Sequence, residues 1–273
     1  MTTSRRRFLS HASQAAATAL LTDASTASAA GGRATSDHIS ERNLTAAMQE
    51  KLSAELHDTA TARTLVPTML DIGLTWDLPL IAASQVTSIV AYSFGNRPNA
   101  ASGNTSATAT AQAALPDPGP INEALADAVH QLYLLTGAKV YAQWEIARFL
   151  ASKYRMTSAN LQSIEPNIAS DGSVTYLSTD GVAAAIIGFA GSAAALGNVG
   201  VVGHRDHAKR CIETSQARGM NAAAVQEITL PVNYDALSGQ PWTRRRHLYL
   251  VHDMYAQLMA KSAALTSQAY PEG

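Results

Sequence analysis

Gly200-Val-Val-Gly-His-Arg-Asp-His-Ala-Lys-Arg210 is an apolar run that breaks at Gly203 into a polar, helix-prone stretch. A buried parallel strand reads this way where it turns into a helix, because strands covered on both faces are almost continuously apolar. Open α/β sheets bind ligands at such strand carboxyl ends, beside exposed helix N-termini. Two histidines, an aspartate and an arginine crowd this one turn, so the centre of a site is expected here.

The neighbouring segments repeat the same grammar. Thr87-Ser-Ile-Val-Ala-Tyr-Ser93 is β-prone and ends at Phe94-Gly95, where the glycine permits a tight exit. Ala138-Lys-Val-Tyr-Ala-Gln143 is a second strand, followed at once by a helix from Trp144 to Tyr154. Val174-Thr-Tyr-Leu177 reads as a shorter strand entering Ser178-Thr-Asp-Gly181, and Ala223 to Leu230 as a last one. Between them, Leu125, Val129, Leu132 and Leu135 mark one face of a helix from Ile121 to Thr136, with Gly137 as its C-cap. Helices are also expected over Val182–Leu196, Asp206–Gly219 and Arg244–Ala264, and over Asn43–Thr64 near the start. Strand and helix alternate, which predicts a three-layer α/β/α, Rossmann-like fold with a mostly parallel sheet. The Gly-x-Gly-x-x-Gly pattern of dinucleotide binding is absent.

Ser4-Arg-Arg-Arg-Phe-Leu9 matches the twin-arginine export pattern. An apolar stretch from Ala12 to Leu21 follows, then Ala27-Ser-Ala29 as a cleavage site. Residues 1–30 are therefore read as a signal for the twin-arginine export machinery, 31–86 as a linker and helical extension, 87–264 as the α/β domain and 265–273 as a tail. The protein is expected outside the cytoplasm, in the periplasm, envelope or medium. No later apolar run approaches the roughly 20 residues of a spanning helix, so the mature form is expected to have no stable membrane span. Asn96 to Gly119, rich in Ala, Ser, Thr, Asn, Gly and Pro, reads as a long mobile loop. The formal net charge of -1 offers no electrostatic footprint for nucleic acid. With a single cysteine, Cys211, no intramolecular disulfide can form, and its place inside a helix suggests a small buried hydrophobe.

Three strand exits converge at one edge of such a sheet: Ser93-Phe-Gly95, Gln143-Trp-Glu145 and Gly203-His-Arg-Asp-His207; Ser178-Thr-Asp180 forms a fourth. Helix N-termini there offer free N–H groups to a phosphate or carboxylate. Arg210 lies one turn past His207, and an imidazole beside a guanidinium suits an anionic ligand. His207 and Glu145 are the acid/base candidates. Ser93, Gly95, Gln143, Ser178, Thr179, Gly203, His204, Asp206 and Arg210 are the candidate ligand-binding residues. A divalent metal held by His204, His207 and Glu145 is the alternative, although no His-Glu-x-x-His or cysteine-rich set accompanies it. No Gly-x-Ser-x-Gly elbow is present. His247 to Asp253 holds two histidines and an acid, which a final helix assigns to structural or surface roles.

In this order and spacing the chain resembles the YdcF-like (DUF218) family, which includes SanA-type envelope proteins. The resemblance runs from about Ile89 to Gly219, with a weaker tail to about Leu258. It rests on Ile89-Val-Ala-Tyr-Ser-Phe-Gly95, Ala124-Leu-Ala-Asp-Ala-Val-His-Gln-Leu-Tyr133, Val140-Tyr-Ala-Gln-Trp-Glu-Ile-Ala147 and His207-Ala-Lys-Arg210. Gly203-His204 stands where the family usually has a Thr/Ser pair, and Gly181-Val182 where it has Glu-Asn. The resemblance implies that Gly95, Glu145, Thr179, His207 and Arg210 line the site, and it suggests nucleotide-like or S-adenosylmethionine-like ligands and an envelope role, beside the small anionic ligand that the residues themselves suit. It leaves open the cofactor, the reaction, and whether the protein is an enzyme, a non-catalytic envelope binding protein or a metal-dependent hydrolase.

Overall fold

The computed structural model describes residues 39–98, 115–170 and 174–272. The export signal, the linker to Asp37 and most of the loop between Asn96 and Gly119 lie outside the described residues. An antiparallel bridge between Arg97 and Asp117 joins the two described ends of that loop. The chain divides into two compact units after Leu44. The first is described only over residues 39–44, and apart from the first turn of the helix that opens at Glu41 the features below belong to the second.

Six strands form one sheet in which every neighbouring pair is parallel: β1 (Leu80–Ile81), β2 (Ser88–Ala91), β3 (Lys139–Gln143), β4 (Leu161–Ile164), β7 (Asn198–Val202) and β8 (Asn221–Val225), in the order β1-β8-β7-β2-β3-β4. The protein is a three-layer α/β/α, Rossmann-like fold. Register sets Val90 between Tyr141 and Val201, so like faces align across the sheet. Ile89, Ala91, Val140, Ala142 and Val202 pack against α3 (Pro120–Thr136) and α4 (Trp144–Tyr154). Val90, Tyr141, Val199 and Val201 pack against α5 (Thr179–Ala190) and α6 (Arg205–Ala217). This period-2 alternation between two covered faces explains why all four residues of β2 are buried. The chain runs outward from β2 to β3 and β4, then crosses back through α5 to β7. The switch point, where ligands bind in such sheets, therefore lies between β2 and β7.

Several sequence expectations need correction. The helix expected over Asn43–Thr64 is two helices, α1 (Glu41–Leu56) and α2 (Thr59–Leu74). The chain breaks between them at His57, whose φ is 52°, and Asp58 caps α2 by accepting from Thr61 N at 3.0 Å. β1 and β4 escaped notice: one has two residues, and Leu161-Gln-Ser-Ile164 has no apolar run. β1 places part of the stretch read as an extension inside the sheet. The segment Val174–Leu177 is not a sheet strand; Val174–Thr175 (β6) pairs antiparallel with Asn167–Ile168 (β5) in a separate hairpin. The apolar helix stops at Ala190, where Gly191 takes a positive φ. The final helix, α7, spans Arg246–Ala269. Among the described residues, no helix is long and apolar enough to cross a membrane.

Gly200 sits in the middle of β7 where side chains of β8, α3 and the turn before β2 leave no room for one of its own. A Cβ there would meet Val225 Cγ2 at 2.9 Å and Leu132 Cδ2 and Val86 Cγ1 at 3.2 Å. Gly200→Ala is expected to lower unfolding stability by about 1–3 kcal/mol, the usual cost of overpacking a core, measured as a fall in urea midpoint at unchanged slope.

Candidate functional site

At the carboxyl ends of β2, β3 and β7 lies a cavity of about 280 Å³, lined by Ser93, Gly95, Gln143, Glu145, Ser178, Thr179, His207 and Arg210 among others. Eight of the eleven residues expected from sequence thus meet in one place. The β2 exit is held from below by Asn122, fully buried in α3. Its carboxamide accepts from Phe94 N at 2.9 Å and donates to Gly95 O and Pro118 O at 2.6 Å each. Gly95 has a φ of 68°, and a Cβ there would lie 2.7 Å from Thr243 Oγ1, so only glycine fits. Gln143 caps the geometry from β3: its Oε1 accepts from Ser93 N at 3.1 Å. Ser178 is the N-cap of α5, accepting from Gly181 N at 3.1 Å.

Gly203, His204 and Asp206 do not line the cavity. His204 is fully buried and caps α6: Nδ1 accepts from Asp206 N at 3.3 Å, and Nε2–H donates to Asn233 O at 3.0 Å. Its ring stacks on Phe94, centroids 4.0 Å apart. Burial lowers its pKa to about 4, so it is neutral at pH 7, and with both nitrogens engaged it has none left for a metal. Among the described residues no three His, Cys, Asp or Glu side chains are grouped to hold a metal ion. Asp206 is saturated by Tyr234 Oη (2.7 Å), Arg246 Nε (2.9 Å) and Arg205 Nε (3.1 Å). Burial pushes its carboxyl up, but those donors hold it below the usual carboxylate range. At Gly203 a Cβ would lie 3.5 Å from Cys211 Sγ, an ordinary contact, so the turn does not demand a glycine there. Cys211 is fully buried, and burial raises its thiol well above its usual value, which makes it core.

Sequence reasoning missed the residue at the centre of the polar network, Asp253 of α7. Its side chain is fully buried, and Oδ1 accepts from Arg210 Nε at 2.6 Å and from Tyr249 Oη at 3.0 Å; Oδ2 accepts from Gln257 Nε2 at 2.8 Å. Arg210 also donates to Thr179 Oγ1 (2.9 Å) and to Tyr249 Oη (3.2 Å). Three of its five N–H donors are therefore used within the protein. Burial alone would raise the Asp253 carboxyl, but His207 and Arg210 keep it far below the carboxylate range. Tyr249, Asp253 and Gln257 repeat every fourth residue along one helix face, but that spacing does not name the partner on α6.

His207 Nδ1 faces Asp253 Oδ1 at 3.6 Å, just outside hydrogen-bond distance, and has no other partner among the described residues. Burial, with the Arg210 charge beside it, lowers its pKa to about 4. At pH 7 it is a neutral imidazole able to accept a proton. Glu145, in the first turn of α4, is 3% exposed, and its Oε2 has no hydrogen-bond partner among the described residues. Burial raises its pKa to about 7. Trp242 and His252, stacked 4.9 Å apart, line the same cavity.

No family model matches the chain. Nor does any characterised protein or solved structure to which it was compared.

Replacing Asp253 by Asn leaves the Arg210 guanidinium buried without its counter-charge, and unfolding stability should fall by about 3–5 kcal/mol. Chemical denaturation would measure it. Glu145 gives the opposite result. The unfolded carboxyl ionises near pH 4.5 and the folded one near 7, so the native state keeps a proton that the unfolded chain loses. Stability attributable to this group falls across that window by about 3 kcal/mol, and Glu145→Gln should abolish the loss. Thermal melts of both proteins at pH 5 and pH 8 test this: the variant should gain over the parent at pH 8 and not at pH 5.

Proposed function

We propose that this chain is an exported protein of the YdcF-like kind that binds a small anionic ligand in the cavity at the strand carboxyl ends. The observation that carries the reading is the meeting, in one cavity, of the α5 N-terminus, the Arg210 guanidinium and His207. The first-turn N–H groups of α5 are free to bond an anion beyond the one taken by Ser178, and the helix dipole favours negative charge there. Arg210 adds its two unused N–H donors. Export rests on the twin-arginine pattern at Ser4–Leu9, and an envelope role follows from that location together with the family resemblance.

In this reading His207 is the acid/base group, neutral at physiological pH and turned by Nδ1 toward Asp253, with Nε2 on the far edge of the ring available to the ligand. Glu145 exchanges a proton near neutrality, and Thr179 and Ser93 supply hydroxyls. A binding protein without turnover uses the same cavity, and the engagement of three Arg210 donors inside the protein favours it as the second reading.

Native mass spectrometry of the exported protein, purified without chelators, should detect a small anionic adduct, and inorganic phosphate at millimolar concentration should raise the Tm. Thr179→Glu places a carboxylate at the α5 N-terminus, where the helix dipole tolerates it, so the fold should persist. Both adduct and phosphate stabilisation should disappear in that variant. Binding that is indifferent to Thr179→Glu, or no adduct and no phosphate effect in the parent, overturns the reading.

A further inference from the structure

α7 wears its polar face inward and its apolar face outward. Tyr249, Asp253 and Gln257 are buried, whereas Leu248, Val251, Tyr255, Leu258 and Leu265 are 43–66% exposed. Their separations are three, four and three residues, then seven from Leu258 to Leu265, with Ser262 on the intervening step. This 3-4 spacing is the a/d seam of paired helices, and the buried residues fall on the opposite b, c and f positions. Beyond Gln257 every residue of α7 is exposed, so about three turns of helix bury no residue on the described protein, although Lys261 reaches Asp71 of α2.

We infer that this stripe is an interface with a second copy of the chain, the two α7 helices pairing along it. At up to roughly 200 Å² for each large side chain, half of it in water, the stripe with adjoining Met259 offers about 600 Å² per copy, close to the about 800 Å² per partner of a stable dimer. Charge allows it. Between His247 and Ala269 the only formal charges are Asp253, buried, and Lys261, which sits 3.5 Å from Asp71 on α2. Two copies meet along the seam without like-charge repulsion. The basic run Arg244-Arg245-Arg246 lies at the start of α7, where Arg246 is held by Asp206 and Arg244 by Ser238 O; no basic row follows the stripe beyond it, which disfavours an anionic membrane surface. The N-terminal end of the seam passes beside His252, which lines the cavity of the candidate site.

Sedimentation velocity of the full chain across a micromolar to hundred-micromolar series tests the inference. A dimer is expected, its dissociation constant rising at least about tenfold in Val251→Glu and in Leu258→Glu, with far- and near-UV circular dichroism unchanged because both positions face water. A parent that stays monomeric throughout the series overturns it. So does a dimer that survives both substitutions in folded protein. A monomeric parent that co-sediments with phosphatidylglycerol vesicles, and loses this in Val251→Glu, would assign the stripe to lipid instead. The measurement is independent of ligand binding, so it stands or falls apart from the proposed anion site.

Discussion

The buried ion pair between Asp253 and Arg210 is the contact on which the arrangement of the site depends. It joins three helices that are far apart in sequence: Asp253 lies in α7, Arg210 in α6, and Thr179, which Arg210 also holds, opens α5. His207 precedes Arg210 by one helical turn, so the contact that seats the guanidinium also turns the imidazole toward the carboxylate. Buried ion pairs seldom add net stability, because desolvation offsets most of the attraction. Here Tyr249 and Gln257 donate to the Asp253 carboxylate, and Thr179 and Tyr249 accept from the Arg210 guanidinium, so hydrogen bonds from α5 and α7 orient the pair.

That constraint also explains the inverted character of α7. A surface helix usually turns its apolar stripe to the core. α7 must instead present Tyr249, Asp253 and Gln257 inward to complete the network, and helical geometry then forces the residues on the other side outward. Had those outward positions been charged, α7 would read as an ordinary solvated helix with a polar core face. They are Leu, Val and Tyr, which places the apolar burden on a surface the fold leaves uncovered among the described residues.

The central strands were legible because each is a short apolar run ending in a turn signal, and a sheet covered on both faces demands such runs. β4 was not legible, since Leu161 and Ile164 alone are fully buried and the two polar residues between them break the pattern. Ser93, Gln143, Thr179, His207 and Arg210 could be gathered from sequence because strand exits and helix starts converge by topology. His204 and Asp206 sat in the same turn yet fell away, for a local reason: a helix start needs a cap and a carboxylate, and these two are consumed there. Asp253 was illegible for the opposite reason. Its partner is 43 residues away, and nothing local distinguishes a carboxylate paired across helices from one that faces water.

Glu145 and His207 occupy one cavity, and burial moves both toward neutrality from opposite sides. The carboxyl tends to keep its proton up to about pH 7, and the imidazole loses its own above about pH 4. Arg210 and Asp253 cancel, so at neutral pH the principal variable charge in the cavity is Glu145. An entering anion meets repulsion when Glu145 is ionised and none when it is protonated. If the cavity takes an anion as proposed, linkage makes that binding and proton uptake by Glu145 mutually reinforcing, since whatever raises the affinity for one raises it for the other by the same factor. The orphaned Glu145 Oε2 has a place in this account: protonated, the carboxyl becomes a donor, and an anionic oxygen is the acceptor that the protein itself does not supply.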